Sequence, residues 1–70
     1  MHKLTDTEIK KMSKKDIEYE RECLEYLFMN PIGDDGKPIL KHNFKLLSCH
    51  LMSRNKKVTL SKAKRILNYD

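Results

Sequence analysis

Arg54, Lys56, Lys57, Lys62, Lys64 and Arg65 put six cations within twelve residues near the end of this chain. Phosphate is the group such a cluster is suited to hold. Ammonium and guanidinium charges attract the anion, and Arg adds a planar fork of N–H donors. Thr59 lies among them with a hydroxyl that can cap a helix. The charge is also divided along the chain. Residues 1 to 36 carry six Lys or Arg against nine Asp or Glu, net −3, whereas residues 37 to 70 carry nine against one, net +8. With almost no acid after Asp35, little is at hand nearby to disperse the basic field, and a field of one sign selects polyanions. The expectation is nucleic-acid binding, DNA favoured. Arg54, Lys56 and Lys57 would lie on the phosphate backbone, and Lys62, Lys64 and Arg65 at or near the groove beside Thr59. A solvated basic surface, or mutual neutralisation of the two halves within the fold or between copies, is the plainer alternative.

The segment Val58-Thr-Leu-Ser-Lys-Ala-Lys-Arg-Ile-Leu67 resembles the second helix of a helix-turn-helix. It has an apolar start, a hydroxyl cap, small Ala63 turned inward, then Ile66 and Leu67. Leu47, Ser48 and Leu51 would form the supporting helix, with Ser48 at the point of closest approach. The resemblance is partial. That motif's turn takes three or four residues and often contains Gly, whereas Met52 to Val58 has no Gly and holds Arg54, Lys56 and Lys57. An extended turn is therefore expected between a helix-turn-helix-like pair.

Other chemistry is poorly served. His42, Cys49, His50 and Cys23 suggest zinc, but structural sites take ligands in close pairs, and adjacent Cys49 and His50 diverge by about 100° on a helix. Partly buried His and Cys are expected instead, with free thiols and no metal or cofactor. A Cys–His pair lacks a third orienting group or an oxyanion device, so no enzyme and no small-molecule substrate are expected. Gly33-Asp-Asp-Gly-Lys37 lacks phosphate-loop spacing. Asp34 and Asp35 do not fit an EF-hand register and read as turn formers.

A rival class of function lies upstream. Tyr19, Tyr26, Phe28 and Met29 widen the apolar arc of one helix beyond what so small a core needs, and Glu18, Glu22 and Glu25 line its wet side. This suggests a protein-binding regulator or inhibitor docking through Glu18, Tyr19, Glu22, Tyr26 and Met29. Homodimerisation through the same surface is a third version.

The elements that would position these groups follow from spacing. Seventy residues make one domain, 1–70, in which ~60% of the unfolded surface is buried. Thr5-Asp-Thr-Glu8 has capping-box spacing and starts a short helix near Asp6. Ser13-Lys-Lys-Asp16 restarts the chain, and Lys14 to Met29 is helical through Ile17, Leu24, Leu27 and Phe28. Asn30-Pro31 ends it. Asn30 to Pro38 is a loop in which Asp35-Gly36, flanked by Ile32 and Ile39, could form a short hairpin. Lys41 to Met52 resumes helical period through Leu40, Phe44, Leu47 and Leu51. Ser53 to Lys57 reads as a polar connection, and Thr59 caps a last helix from about Leu60 to Asn68 whose inner edge is Leu60, Ala63 and Leu67. The expected class is all-α: a small single-domain bundle of three main helices plus a short N-terminal one. Without a signal peptide or an apolar span, a cytoplasmic or nucleoid-associated protein is expected, with no membrane partner.

Overall fold

The computed structural model describes residues 2–29 and 37–68. They form α1 (Asp6–Lys10), α2 (Lys14–Met29), α3 (Lys37–Lys56) and α4 (Leu60–Ile66), with no strand among the described residues. The fold is all-α, a small helical bundle.

The first two helices begin where the sequence places hydroxyls. Thr5 Oγ1 accepts the Glu8 N–H at 3.3 Å, and Glu8 Oε1 accepts the Thr5 N–H at 3.2 Å, so the box satisfies two backbone donors at once. After a break, Ser13 Oγ accepts the Asp16 N–H at 3.1 Å and opens α2. The far end of α2 is Met29, next to the expected Asn30-Pro31 stop, which lies outside the described residues together with Ile32, Gly33, Asp34, Asp35 and Gly36.

Helix α3 is longer than its apolar period suggests, at both ends. Pro38 and Ile39, expected in the loop and in one hairpin arm, belong to its first turn. Pro is tolerated there because the missing N–H would have no intrahelical partner. Downstream, Ser53 to Lys56 continue the helix instead of forming a connection. The stop is a left-handed residue. Lys57 has φ 53°, and the Val58 N–H reaches back to the Ser53 carbonyl at 3.2 Å, the long-range bond of a Schellman ending. Ser53 Oγ donates to the Val58 carbonyl at 2.6 Å, locking the reversal. Thr59 Oγ1 then accepts the Lys62 N–H at 3.2 Å and starts α4. The connection is thus Lys57, Val58 and Thr59, a three-residue turn and not an extended one. Lys57 takes the place usually held by Gly.

The central element is α3, against which α1, α2 and α4 pack. Its Leu40, Leu46, Leu47 and Leu51 join Ile9, Ile17 and Leu24 in one core, with Leu4, Met12, Leu27 and Phe44 at its margin. Ala63 is fully buried, and its small side chain lets α4 lie close to the bundle. Between α2 and α3, Phe28 meets Phe44 edge to face, centroids 5.7 Å apart. The Arg21 guanidinium sits 4.9 Å over the Phe44 ring and donates from Nε to Ser48 Oγ at 2.9 Å. Ser48 therefore serves the seam with α2, and its expected role at the approach of α4 is not what its hydroxyl does.

Two substitutions test this arrangement. Lys57→Gly removes the cost of a side chain in left-handed backbone, about 1 kcal/mol, so the urea midpoint should rise at unchanged m-value. Leu47→Ala empties a fully buried site and should cost about 2–5 kcal/mol, enough to lower the midpoint steeply in a domain this small.

Candidate nucleic-acid interface

The basic residues of the last third lie at the C-terminal end of α3, in the turn and on α4. Lys56, Lys57, Thr59, Lys62 and Arg65 are exposed. On α4, Lys62 and Arg65 are three residues apart and share a face, on the side away from buried Ala63. The turn keeps Lys56 and Lys57 within a few residues of that face.

The other two cations also bond to α1. Arg54 is exposed, and its Nη2 donates to the Ile9 carbonyl at 3.2 Å, satisfying an acceptor near the end of α1. Lys64 Nζ lies 3.0 Å from Asp6 Oδ2, with 28% of its side chain exposed. The residues expected on a phosphate backbone and near a groove, Arg54 and Lys64, thus each carry a contact that holds α1 in place. Among the described residues, the acid that reaches this cluster is Asp6, and Glu18, Glu22 and Glu25 stay exposed on α2.

Asp6 is the hub of a small network. Besides Lys64 it accepts from His50 Nε2 at 2.8 Å; a carboxylate only accepts, so that nitrogen carries the proton. The His50 side chain is 6% exposed, whereas Asp6 is 38% exposed. Hydrogen bonding from His50 is the main cause that holds the Asp6 carboxyl below its ordinary pKa; burial opposes it, and the bond and charge of Lys64 add to the lowering. Nearby Asn43, 3% exposed, accepts the Leu4 N–H at 2.8 Å and donates to the His2 carbonyl at 3.0 Å, pinning the segment before α1. His42 Nε2 donates to the Leu4 carbonyl at 3.2 Å. No buried side-chain N or O lacks a partner among the described residues.

Nothing in the sequence points to this network, because its members are 38 to 58 positions apart and each is a common residue alone. The Thr5–Glu8 box was the one available signal that residues near Asp6 are fixed.

The thiols are both free. Burial raises the pKa of Cys49, so it stays a protonated, poorly reactive thiol. No group of three His, Cys, Asp or Glu able to hold a metal occurs among the described residues. Likewise, no described helix is long and apolar enough to cross a membrane.

Helix α2 presents the second candidate surface. Tyr19 and Tyr26 are each 67% exposed and Met29 80%, while Ile17 and Leu24 carry the burial of this helix. Glu18, Glu22 and Glu25 are exposed beside them. No family model, curated protein or solved structure matches the chain. Function has to be argued from these side chains.

The Asp6 network predicts the acid response. A carboxyl whose folded pKa is depressed stabilises the fold above its unfolded pKa, and that contribution disappears as pH falls through the folded value. Stability should therefore decline below about pH 4, and Asp6→Asn should flatten that part of the profile. Urea titrations at stepped pH read both.

Proposed function

We propose that this domain binds nucleic acid, duplex DNA in preference, through the end of α3, the turn and α4. The observation that carries the reading is the three-residue turn, reversed at left-handed Lys57 and followed by a capped helix, which leaves Lys56, Lys57, Lys62 and Arg65 exposed within ten residues of chain. A supporting helix, a short reversal and a second helix backed by a buried small residue is the helix-turn-helix arrangement. An α-helix such as α4, about 10–12 Å across with its side chains, fits a major groove about 12 Å wide.

The roles differ by position. Lys56 and Lys57, at the reversal, suit the phosphate backbone, with the Thr59 hydroxyl beside them. Lys62 and Arg65 face away from the bundle on α4, where Arg can reach a base edge bidentately and Lys a phosphate or a guanine acceptor. Arg54 and Lys64 support this surface indirectly by holding α1 against α3 and α4. The activity proposed is binding, with regulation of the bound nucleic acid as its use and the cytoplasm or nucleoid as its setting.

Fluorescence anisotropy with a labelled duplex tests the reading. Three phosphate contacts, from Lys56, Lys57 and Lys62, would give a slope of log affinity against log salt of about −3. Lys62→Ala should reduce the slope by about 1, and Arg65→Ala should weaken binding and relax sequence preference. Lys64→Ala should alter stability more than the slope. Absence of binding at low salt, or affinity indifferent to salt, would overturn the proposal, and preference for a single strand over the duplex would replace the groove by backbone capture.

A further inference from the structure

We infer that the outward face of α2 is a docking surface for a cationic amphipathic helix of a partner protein. Its spine is Tyr19, Cys23 and Tyr26, which with Glu22 and Leu27 line a shallow, mostly apolar groove. At 100° per residue these three fall within about 60° of arc, an i, i+4, i+7 stripe of the kind that receives helical anchors. Met29, 80% exposed, extends it towards the end of the helix.

Charge selects the occupant. Along the same helix Asp16, Glu18, Glu20, Glu22 and Glu25 are all exposed. On the helical projection Glu18, Glu22 and Glu25 lie on one side of the spine, and Asp16 and Glu20 on the other. The one cation within this stretch, Arg21, is turned away into the seam with Phe44 and Ser48. The apolar groove is thus edged on both sides by carboxylates, five against the single exposed Lys15 that lies beside Tyr19 and Glu22 at the start of the helix. A helix bearing Leu- or Met-like anchors between two rows of Lys or Arg matches that pattern in both apolar and ionic terms. A second copy of α2 is a poorer fit, because its glutamates would face these ones. Nucleic acid is repelled by them, so this surface is distinct from the basic one.

Cys23 supplies the reporter. It is a half-buried free thiol within the groove, whereas Cys49 is fully buried. The full chain is alkylated with iodoacetamide in the presence of three peptides of about 18 residues, five helical turns. One is an amphipathic Leu/Lys helix, one has Glu in place of Lys, and one is Lys alone. The Leu/Lys peptide should slow the reaction of Cys23 and bind, and Tyr19→Ala with Met29→Ala should weaken it by about tenfold or more, as expected of exposed anchors that become buried. Glu18→Lys with Glu22→Lys should abolish binding of the Leu/Lys peptide and admit the Leu/Glu one. Circular dichroism checks each variant; should the aromatic variant unfold, the charge-reversed one decides. Equal protection by the Lys-only peptide, unchanged affinity in the folded variants, or no protection at all would overturn the inference. So would a self-association in sedimentation equilibrium that itself protects Cys23, since the occupant would then be a second copy.

Discussion

The carboxylate of Asp6 joins three of the four helices. It sits in the first turn of α1 and takes a hydrogen bond from His50 on α3 and an ion pair from Lys64 on α4. Five residues of helix do not persist alone in water, because nucleation costs more than so few bonds return. What keeps α1 formed is therefore tertiary: Ile9 in the core, Asn43 clasping the chain before it, Arg54 on the carbonyl of Ile9, and Asp6 in the middle. The same contacts decide which cations are left for anything else. Arg54, itself exposed, and half-buried Lys64 each spend a donor on α1, and Lys56, Lys57, Lys62 and Arg65 are the exposed basic set beside them.

Local signals in the sequence were read correctly where a few neighbouring residues settle the matter. The Thr5–Glu8 box, the restart at Ser13, α2 ending at Met29, the Leu40–Leu47–Leu51 stripe, the Thr59 cap and inward Ala63 all involve partners within a turn or two. The ends of α3 were not legible. A Pro in a first helical turn looks, in sequence, like a Pro in a loop, and Ser53 to Lys56 carry no apolar period to mark them as helix. The turn was misjudged for the same reason: a left-handed residue is normally announced by Gly, and here it is Lys57. The bond of Ser48 and the contacts of Lys64 and Arg54 with α1 depend on residues tens of positions away, to which no spacing rule points.

The charge division has a structural outcome that neither simple neutralisation nor simple separation describes. Among the described residues Asp6 pairs with Lys64 and His50 at the junction of α1, α3 and α4, and Glu8 pairs with His2, while the acid of α2 and the outward cations of α3 and α4 stay in solvent. Because α2 and α4 each pack on α3, the molecule carries its two signs on separate helices of one rigid core. On the proposed reading, the field of a polyanion attracts α4 and repels the acidic face of α2, and that face takes a cationic helix without competing for phosphate. Like-charge repulsion acts at low salt and fades as the Debye length shortens. The placement of Asp6 bears on both surfaces. Had the acid that pairs Lys64 been on α2 instead of α1, a carboxylate of the acidic helix and a cation of α4 would have been drawn into one seam, and each face would have lost a charge.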